Sequence, residues 1–435
     1  MSPWLQDALA AREAAGTPIR VGLIGAGAMG KGIALQIAAF TRGMRLVAIA
    51  NRTIARADDA AQLATGLAGI AVDTPAAFEG VVRSMRIAVT EDPFLVTRSP
   101  LVDVVVEATG SLEFAARVVG DAIDNGRHVV LMNAELDGTV GPALQKRAES
   151  AGVVYTNADG DQPGAIMDLY RFAGQIGLKP VLCGNIKGML DRYRTPDTQA
   201  AFAARWNQNV RMATSFADGT KLAFEQAVVA NATGSRLLAP GMLGPVVAPG
   251  TPIETAVSAF PVDRLLEGGC AVDYVVGAHP GPGVFVLATC EHPAQREFLD
   301  YYKLGAGPIY CLYRPFHLCH FEVPITIAQA ALAHAATVRP SLSAVEVVAV
   351  AKRHLPAGTR LDGIGGFDLY GVAEETPVAA RRGLLPIGLS EGSTLRRPVG
   401  IDEPIGVGDV DLPQGRLLDV LRAEQSMVPR QPLNA

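Results

Sequence analysis

The sequence predicts an α/β chain that opens on a doubly wound parallel sheet, continues into an α+β domain and ends in a small β-rich domain. Three observations predict it. Ile19–Ile24 is a short apolar run suited to a buried parallel strand, and it leads directly into Gly25-Ala26-Gly27-Ala28-Met29-Gly30 and a helix-like stretch over 31–40. Similar apolar runs recur at Met44–Ala50, 102–107 and 128–132, spaced for strand–helix–strand units with right-handed crossovers. From about Ser343 the text turns to β-branched residues and glycine turns, and 361–366 is too glycine-dense for a helix.

At 435 residues the chain is too long for one core. The expected division is an N-terminal helix over 1–18, a dinucleotide-binding domain over 19–158, a substrate and oligomerisation domain over 159–340, and the C-terminal domain over 341–435. A 49% hydrophobic and 19% charged composition points to a packed globular enzyme rather than a disordered adaptor. A net charge of −5 without a basic tract argues against a nucleic-acid partner. No apolar run reaches the roughly 18 residues needed to cross a bilayer, so no membrane partner is expected. Asp7 and Glu13 make the first segment an amphipathic helix rather than a signal peptide, and a cytoplasmic location is expected. Five scattered cysteines without CxxC spacing indicate neither a disulfide framework nor a zinc site.

Between the first strand and its helix, each glycine has a mechanical task. Gly25 makes the sharp turn, Gly27 lets backbone approach a pyrophosphate, and Gly30 lets the helix pack close. Ala28 and Met29 complete the loop, and the helix N-terminus offers free N–H groups to phosphate. This is the strand–GxGxxG–helix unit of a Rossmann domain. The second strand ends in Asn51-Arg52, where an acidic residue would select the ribose hydroxyls of NAD. A guanidinium there pairs with a 2′-phosphate, so NADP(H) is expected over NAD(H). The alternative is an Arg52 that only faces solvent. Ala108-Thr109-Gly110 and Asn133 close the third and fourth strands, at the crevice where the nicotinamide half would lie.

The runs VVVEATG and HVVLMNAELDGTVGPAL resemble the nucleotide domain of homoserine dehydrogenase, although Ala134 and Glu135 stand where that family carries a lysine after the asparagine. GDQPGAIMDLY, DGTKLAFEQAVVANATG and YYKLGAGPIYCLYRPFHL are similar to the homoserine-dehydrogenase-like group that includes 1-deoxy-D-xylulose 5-phosphate reductoisomerase-like enzymes. KRHLPAGTRLDGIGGFDLYG resembles a SAF-type module. The resemblance implies an NAD(P)-dependent oxidoreductase and leaves its substrate open.

Within the middle domain, Asp159-Gly160-Asp161-Gln162-Pro163-Gly164 is a turn before a helix beginning at Ala165. Asp161 could orient a substrate hydroxyl or hold a divalent cation; equally, it could serve an Asp-Gly turn and helix cap. Whether a metal is needed stays open. Lys221 follows Asp218-Gly219-Thr220 in the first turn of a helix, where the dipole disfavours a cation. With Glu225 one turn along, it could polarise a carbonyl or protonate the alkoxide formed on hydride arrival; the plain alternative is an exposed ion pair. Lys187 lies between Gly184 and Gly188, just past a strand over 180–183, and is a ligand-facing lysine or an ordinary loop one. Asn231 could donate its amide to substrate or satisfy a helix end. Arg314 is a phosphate or carboxylate anchor. His317 and His320 lack the spacing of a metal motif.

The expected function is NADP(H)-dependent reduction of a small polyhydroxylated ketone or aldehyde by a homodimer or homotetramer. The reductoisomerase resemblance would add carbon-skeleton rearrangement in isoprenoid precursor synthesis. The alternatives are a simple dehydrogenase of a hydroxy acid or sugar acid, and a non-catalytic NADPH-sensing regulator.

Overall fold

The computed structural model describes residues 3–428. They form two compact units, one running to Leu136 and including Ala143–Asp161 and Leu318–Arg339, the other of Asp137–Pro142, Gln162–His317 and the residues from Pro340 onward. Residues 429–435 of the expected C-terminal domain lie outside the described residues.

The first unit is built on seven parallel strands: β1 (Ile19–Ile24), β2 (Met44–Ala50), β3 (Ile70–Ala71), β4 (Ala88–Thr90), β5 (Val104–Glu107), β6 (His128–Leu131) and β7 (Tyr155–Asn157). Their order is β3-β4-β2-β1-β5-β6-β7. Strand β1 pairs with β2 on one side and β5 on the other, so the winding reverses at β1 and opens a crevice at the carboxyl ends. The central strands are apolar on both faces because helices cover both. Val21, Leu23, Ile49, Val104 and Val106 share a core with Ile33 and Ile37 of the helix Ala28–Phe40.

Leu5 and Leu9, one turn apart on the helix Pro3–Ala14, join this core, each burial worth about 1.5–3 kcal/mol. So do Val323 and Ile327 of the helix Cys319–Ala333, which returns from far along the chain. That helix approaches Ala28–Phe40 so closely that a Cβ on Gly32 would stand 2.7 Å from the His320 ring.

The second unit carries a mixed sheet of β8 (Lys179–Lys187), β9 (Arg236–Leu237), β10 (Val246–Pro252), β11 (Ala271–His279), β12 (Gly283–Thr289) and β13 (Ile309–Arg314). The order is β10-β11-β8-β12-β13, with β9 added beside β11. Central β8 runs parallel to β11 and antiparallel to β12. Two small antiparallel pairs follow, β14 (Val345–Ala351) with β15 (Leu369–Glu375) and β16 (Thr394–Leu395) with β17 (Val410–Asp411).

The expected boundaries of β1 and β2 are those observed. Others move. The strand expected over 180–183 runs on to Lys187, because Gly184 leaves room for the Phe285 ring, whose Cζ would lie 2.4 Å from an added Cβ. The helix expected from Ala165 begins at Gln162, with Pro163 in the first turn where its missing N–H costs nothing. The short strands β3 and β4 were not anticipated.

Candidate functional site

In the first unit the glycine loop spans the carboxyl end of β1. Gly25 takes φ +104°, and a Cβ there would sit 2.8 Å from the Ala108 carbonyl oxygen. At Gly30 an added Cβ would meet the Gly25 carbonyl oxygen at 2.0 Å, so this glycine lets loop and helix touch. Gly27 differs, with no atom within 4 Å of a Cβ built there. It precedes the 13-residue helix Ala28–Phe40 with no side-chain cap, and Gly27 and Ala28 are exposed while Met29 is half-buried. The first N–H groups of that helix therefore face an open cradle, which fits a dinucleotide pyrophosphate.

Asn51 at the end of β2 accepts the Ala26 N–H on Oδ1 at 3.1 Å and donates from Nδ2 to the Thr53 carbonyl at 2.9 Å. It braces the glycine loop through these two bonds. Arg52 beside it is exposed.

At the end of β5, Glu107 is fully buried. Its Oε1 accepts the Thr109 N–H at 2.8 Å and also the Thr109 hydroxyl, and its Oε2 accepts Asn133 Nδ2 at 3.0 Å. Burial pushes the Glu107 carboxyl above its ordinary value, against those donors, and neighbouring Glu135 adds to the rise. Asn133 in turn accepts the Leu136 N–H at 3.0 Å as N-cap of the helix Ala134–Ala151. One carboxyl thus fixes Thr109 and Asn133. Ala108 is half-buried beside them, and Gly110, at φ +71°, is exposed.

The second unit holds a buried polar chain. Asn185, on β8, donates from Nδ2 to Glu225 Oε2 at 3.0 Å and to Gln162 Oε1, and its Oδ1 accepts Gln226 Nε2 at 3.0 Å. Gln162 Nε2 lies within hydrogen-bond distance of His317 Nε2, at 3.2 Å. Each amide in this chain has its orientation set by its neighbours. Lys221 and Glu225 are both buried, one turn apart on the helix Thr220–Thr233, so the exposed-pair alternative does not hold.

Other expected residues are placed differently. Lys187 closes β8, half-buried, rather than lying in a loop. Arg314 ends β13 with its guanidinium 5.5 Å from the Phe316 ring centre. Asp161 is buried, with Oδ2 lacking a hydrogen-bond partner. Asn231 is buried and its Oδ1 accepts the N–H groups of Ala344 and Val345, at 2.8 and 3.0 Å. Its oxygen secures the backbone at the start of β14. Gln162, Asn185, Gln226 and His317 were absent from the expected site. For Asn185 the signal was a polar residue inside the apolar run VLCGNIK.

Residues 25–157 match the family model described as "Homoserine dehydrogenase, NAD binding domain", and residues 160–323 match "Oxidoreductase DRL, catalytic domain". A homoserine dehydrogenase of Methylobacillus glycogenes is 33% identical over 142 residues, covering 31% of this chain and 30% of that protein. Its namesake from Pseudomonas aeruginosa is 31% identical over 137 residues, covering 32% and 28%. The chain thus spans less than a third of the length of these curated relatives. A crystal structure of DOX-P reductoisomerase with NADPH, fosmidomycin and magnesium aligns at 16% identity over 49% of this chain and 57% of that one, TM-score 0.36. The nucleotide-binding domain is homoserine-dehydrogenase-like, and the segment that follows is of an oxidoreductase catalytic type.

Proposed function

We propose that the chain is an NADP(H)-dependent oxidoreductase that reduces a small polyhydroxylated ketone or aldehyde. One observation carries the reading: Lys221 and Glu225 are buried together in the first turns of one helix, and Glu225 is held by Asn185. A lysine buried at a helix N-terminus opposes both desolvation and the dipole, an arrangement that stability alone does not favour.

Gly25, Gly27, Gly30 and the N–H groups of Ala28 and Met29 would hold the pyrophosphate, and Arg52 a 2′-phosphate. The bound cofactor would supply a hydride. Lys221 donates a hydrogen bond to the substrate carbonyl oxygen and then its proton to the developing alkoxide, stabilising charge that grows in the transition state. Glu225 restores the ammonium's charge balance, and Asn185 fixes the carboxylate. Lys187 is the alternative to Lys221 for stabilising the developing oxyanion, and Arg314 is assigned to the substrate's anionic group, with Asp161 orienting a hydroxyl. The reductoisomerase resemblance extends this to a carbon-skeleton rearrangement, and a homodimer or homotetramer is the expected assembly.

The test is Lys221→Met assayed with NADPH against phosphorylated ketoses and keto acids. Turnover should fall by about 10²–10⁴, the usual contribution of a general acid, with NADPH affinity unchanged. Wild-type turnover in that variant would overturn the role of Lys221. NMR of the product distinguishes simple reduction from rearrangement, and an inert wild type across the panel would favour a nucleotide sensor.

A further inference from the structure

At the opposite ends of the strands that carry the glycine loop, the first unit has a second cleft. Its open volume is about 670 Å³ and it is lined by Arg12, Thr17, Arg20, Arg45 and Asp103, among others. Arg20 is the second residue of β1, Arg45 the second of β2 and Asp103 precedes β5, so this cleft lies at the amino ends of three adjacent strands. Six residues of β1 separate it from Gly25, about 20 Å at the usual rise per residue.

Its charge is unbalanced. Asp103 is fully engaged by Arg20, accepting its backbone N–H at 2.8 Å, Nε at 3.1 Å and NH2 at 2.5 Å. Arg12 gives one long hydrogen bond to the Thr17 carbonyl, at 3.4 Å, and is otherwise exposed. Arg45 spends NH2 on the Val82 carbonyl at 2.7 Å and touches Met85 with NH1, while its Nε is buried without a partner. Arg127, whose NH1 donates to the Val102 carbonyl at 2.7 Å, has a buried Nε in the same condition. Burial, and after it the nearby Arg20 cation, disfavours the charged form of Arg45; at Arg127 burial does the same, opposed by Asp103.

A solvated row of arginines would spread apart and satisfy its donors in water. Here three guanidinium groups converge on one cleft of a chain whose net charge is −5, with a single carboxylate already spent. Planar guanidinium forks match the oxygens of phosphate and carboxylate in pairs.

We infer that this cleft binds a compact multivalent oxyanion of the polyphosphate or polycarboxylate class, at a site separate from the dinucleotide cradle. Occupancy would offset the repulsion between Arg20 and Arg45 and stabilise the unit by mass action.

The experiment is calorimetric titration of the full chain with pyrophosphate, in the presence of saturating NADPH so that the glycine loop is already filled. Parallel titrations with orthophosphate and citrate separate a phosphate ligand from a carboxylate one. One ion should bind per chain, and the double variant Arg12→Ser/Arg45→Met should weaken it by at least about tenfold, with NADPH affinity unchanged. The exposed single variant Arg12→Ser keeps the fold and should show a smaller loss in the same direction. Absence of binding by all three anions at about 10 mM, or equal binding by wild type and both variants, would overturn the site.

Discussion

The side-chain oxygen of Asn51 accepts the backbone N–H of Ala26 across 3.1 Å, tying the end of β2 to the glycine loop at the end of β1. The bond acts on loop geometry, which every dinucleotide shares, whereas Arg52 next to it is exposed and is proposed to pair with a 2′-phosphate. The two residues should therefore separate in cofactor titrations. Asn51→Leu leaves the Ala26 donor without its acceptor, at about 1–3 kcal/mol, and should weaken NADPH and NADH alike. Arg52→Gln should weaken NADPH by roughly tenfold or more and leave NADH unchanged, because only the former has a 2′-phosphate to pair. Equal losses of both cofactors in Arg52→Gln would remove the NADP(H) preference from the proposed function.

Gly27 and Gly30 belong to one motif but should fail differently. At Gly30 a Cβ collides with backbone, the Gly25 carbonyl oxygen, so Gly30→Ala must displace the loop or the helix and should lower the melting temperature. At Gly27 there is open space, so Gly27→Ala should fold as wild type and lose affinity for the pyrophosphate that fills that space. A Gly27→Ala variant with wild-type NADPH affinity would mean the cradle is not where the cofactor binds.

These local relations explain what could be seen in the sequence. Strands β1 and β2 announce themselves because a buried parallel strand needs an uninterrupted apolar run, and the glycine loop because its steric demands are met within six residues. Lys221 was visible as a conflict between a cation and a helix dipole. Asn185 was not: its acceptors Gln162 and Glu225 lie 23 and 40 residues away, and only the tertiary fold brings them to its amide. The helix Cys319–Ala333 escaped for a related reason. Its apolar face shows that it packs, but not that it rejoins a core begun 300 residues earlier.

Glu107 offers a pH test. Its carboxyl is raised above the ordinary 4.5 chiefly by burial, so the folded chain holds the proton more tightly than the unfolded one. Stability from this group is then full below pH 4.5 and is lost as pH rises through the folded value. Glu107→Gln is neutral throughout, but it turns a donor toward Thr109 or Asn133 and should be less stable than wild type at acid pH. The gap should narrow as pH rises, because only the wild type must ionise a buried group. Urea midpoints of the two proteins from pH 4 to 8 would show it, and parallel curves would refute it.

Asp218 and Lys352 form a buried ion pair at 2.7 Å, with both side chains almost without solvent contact. Lys352 also donates to the carbonyls of Arg194 and Gly366, at 2.7 and 2.9 Å, while Asp218 Oδ1 accepts the Thr220 N–H at 2.9 Å. Because Thr220 immediately precedes Lys221, the pair holds the start of the helix that presents Lys221. Desolvation raises the Asp218 carboxyl, and Lys352 is the main influence opposing that rise, so each charge depends on the other. Lys352→Met should cost about 3–5 kcal/mol, since it strands a buried carboxylate and two carbonyls. Adding Asp218→Asn removes the stranded charge and keeps an acceptor for Thr220, so the double variant should recover part of that loss. If the double variant is destabilised by the sum of the two single losses, the groups are not coupled, and the helix start is fixed by something other than this pair.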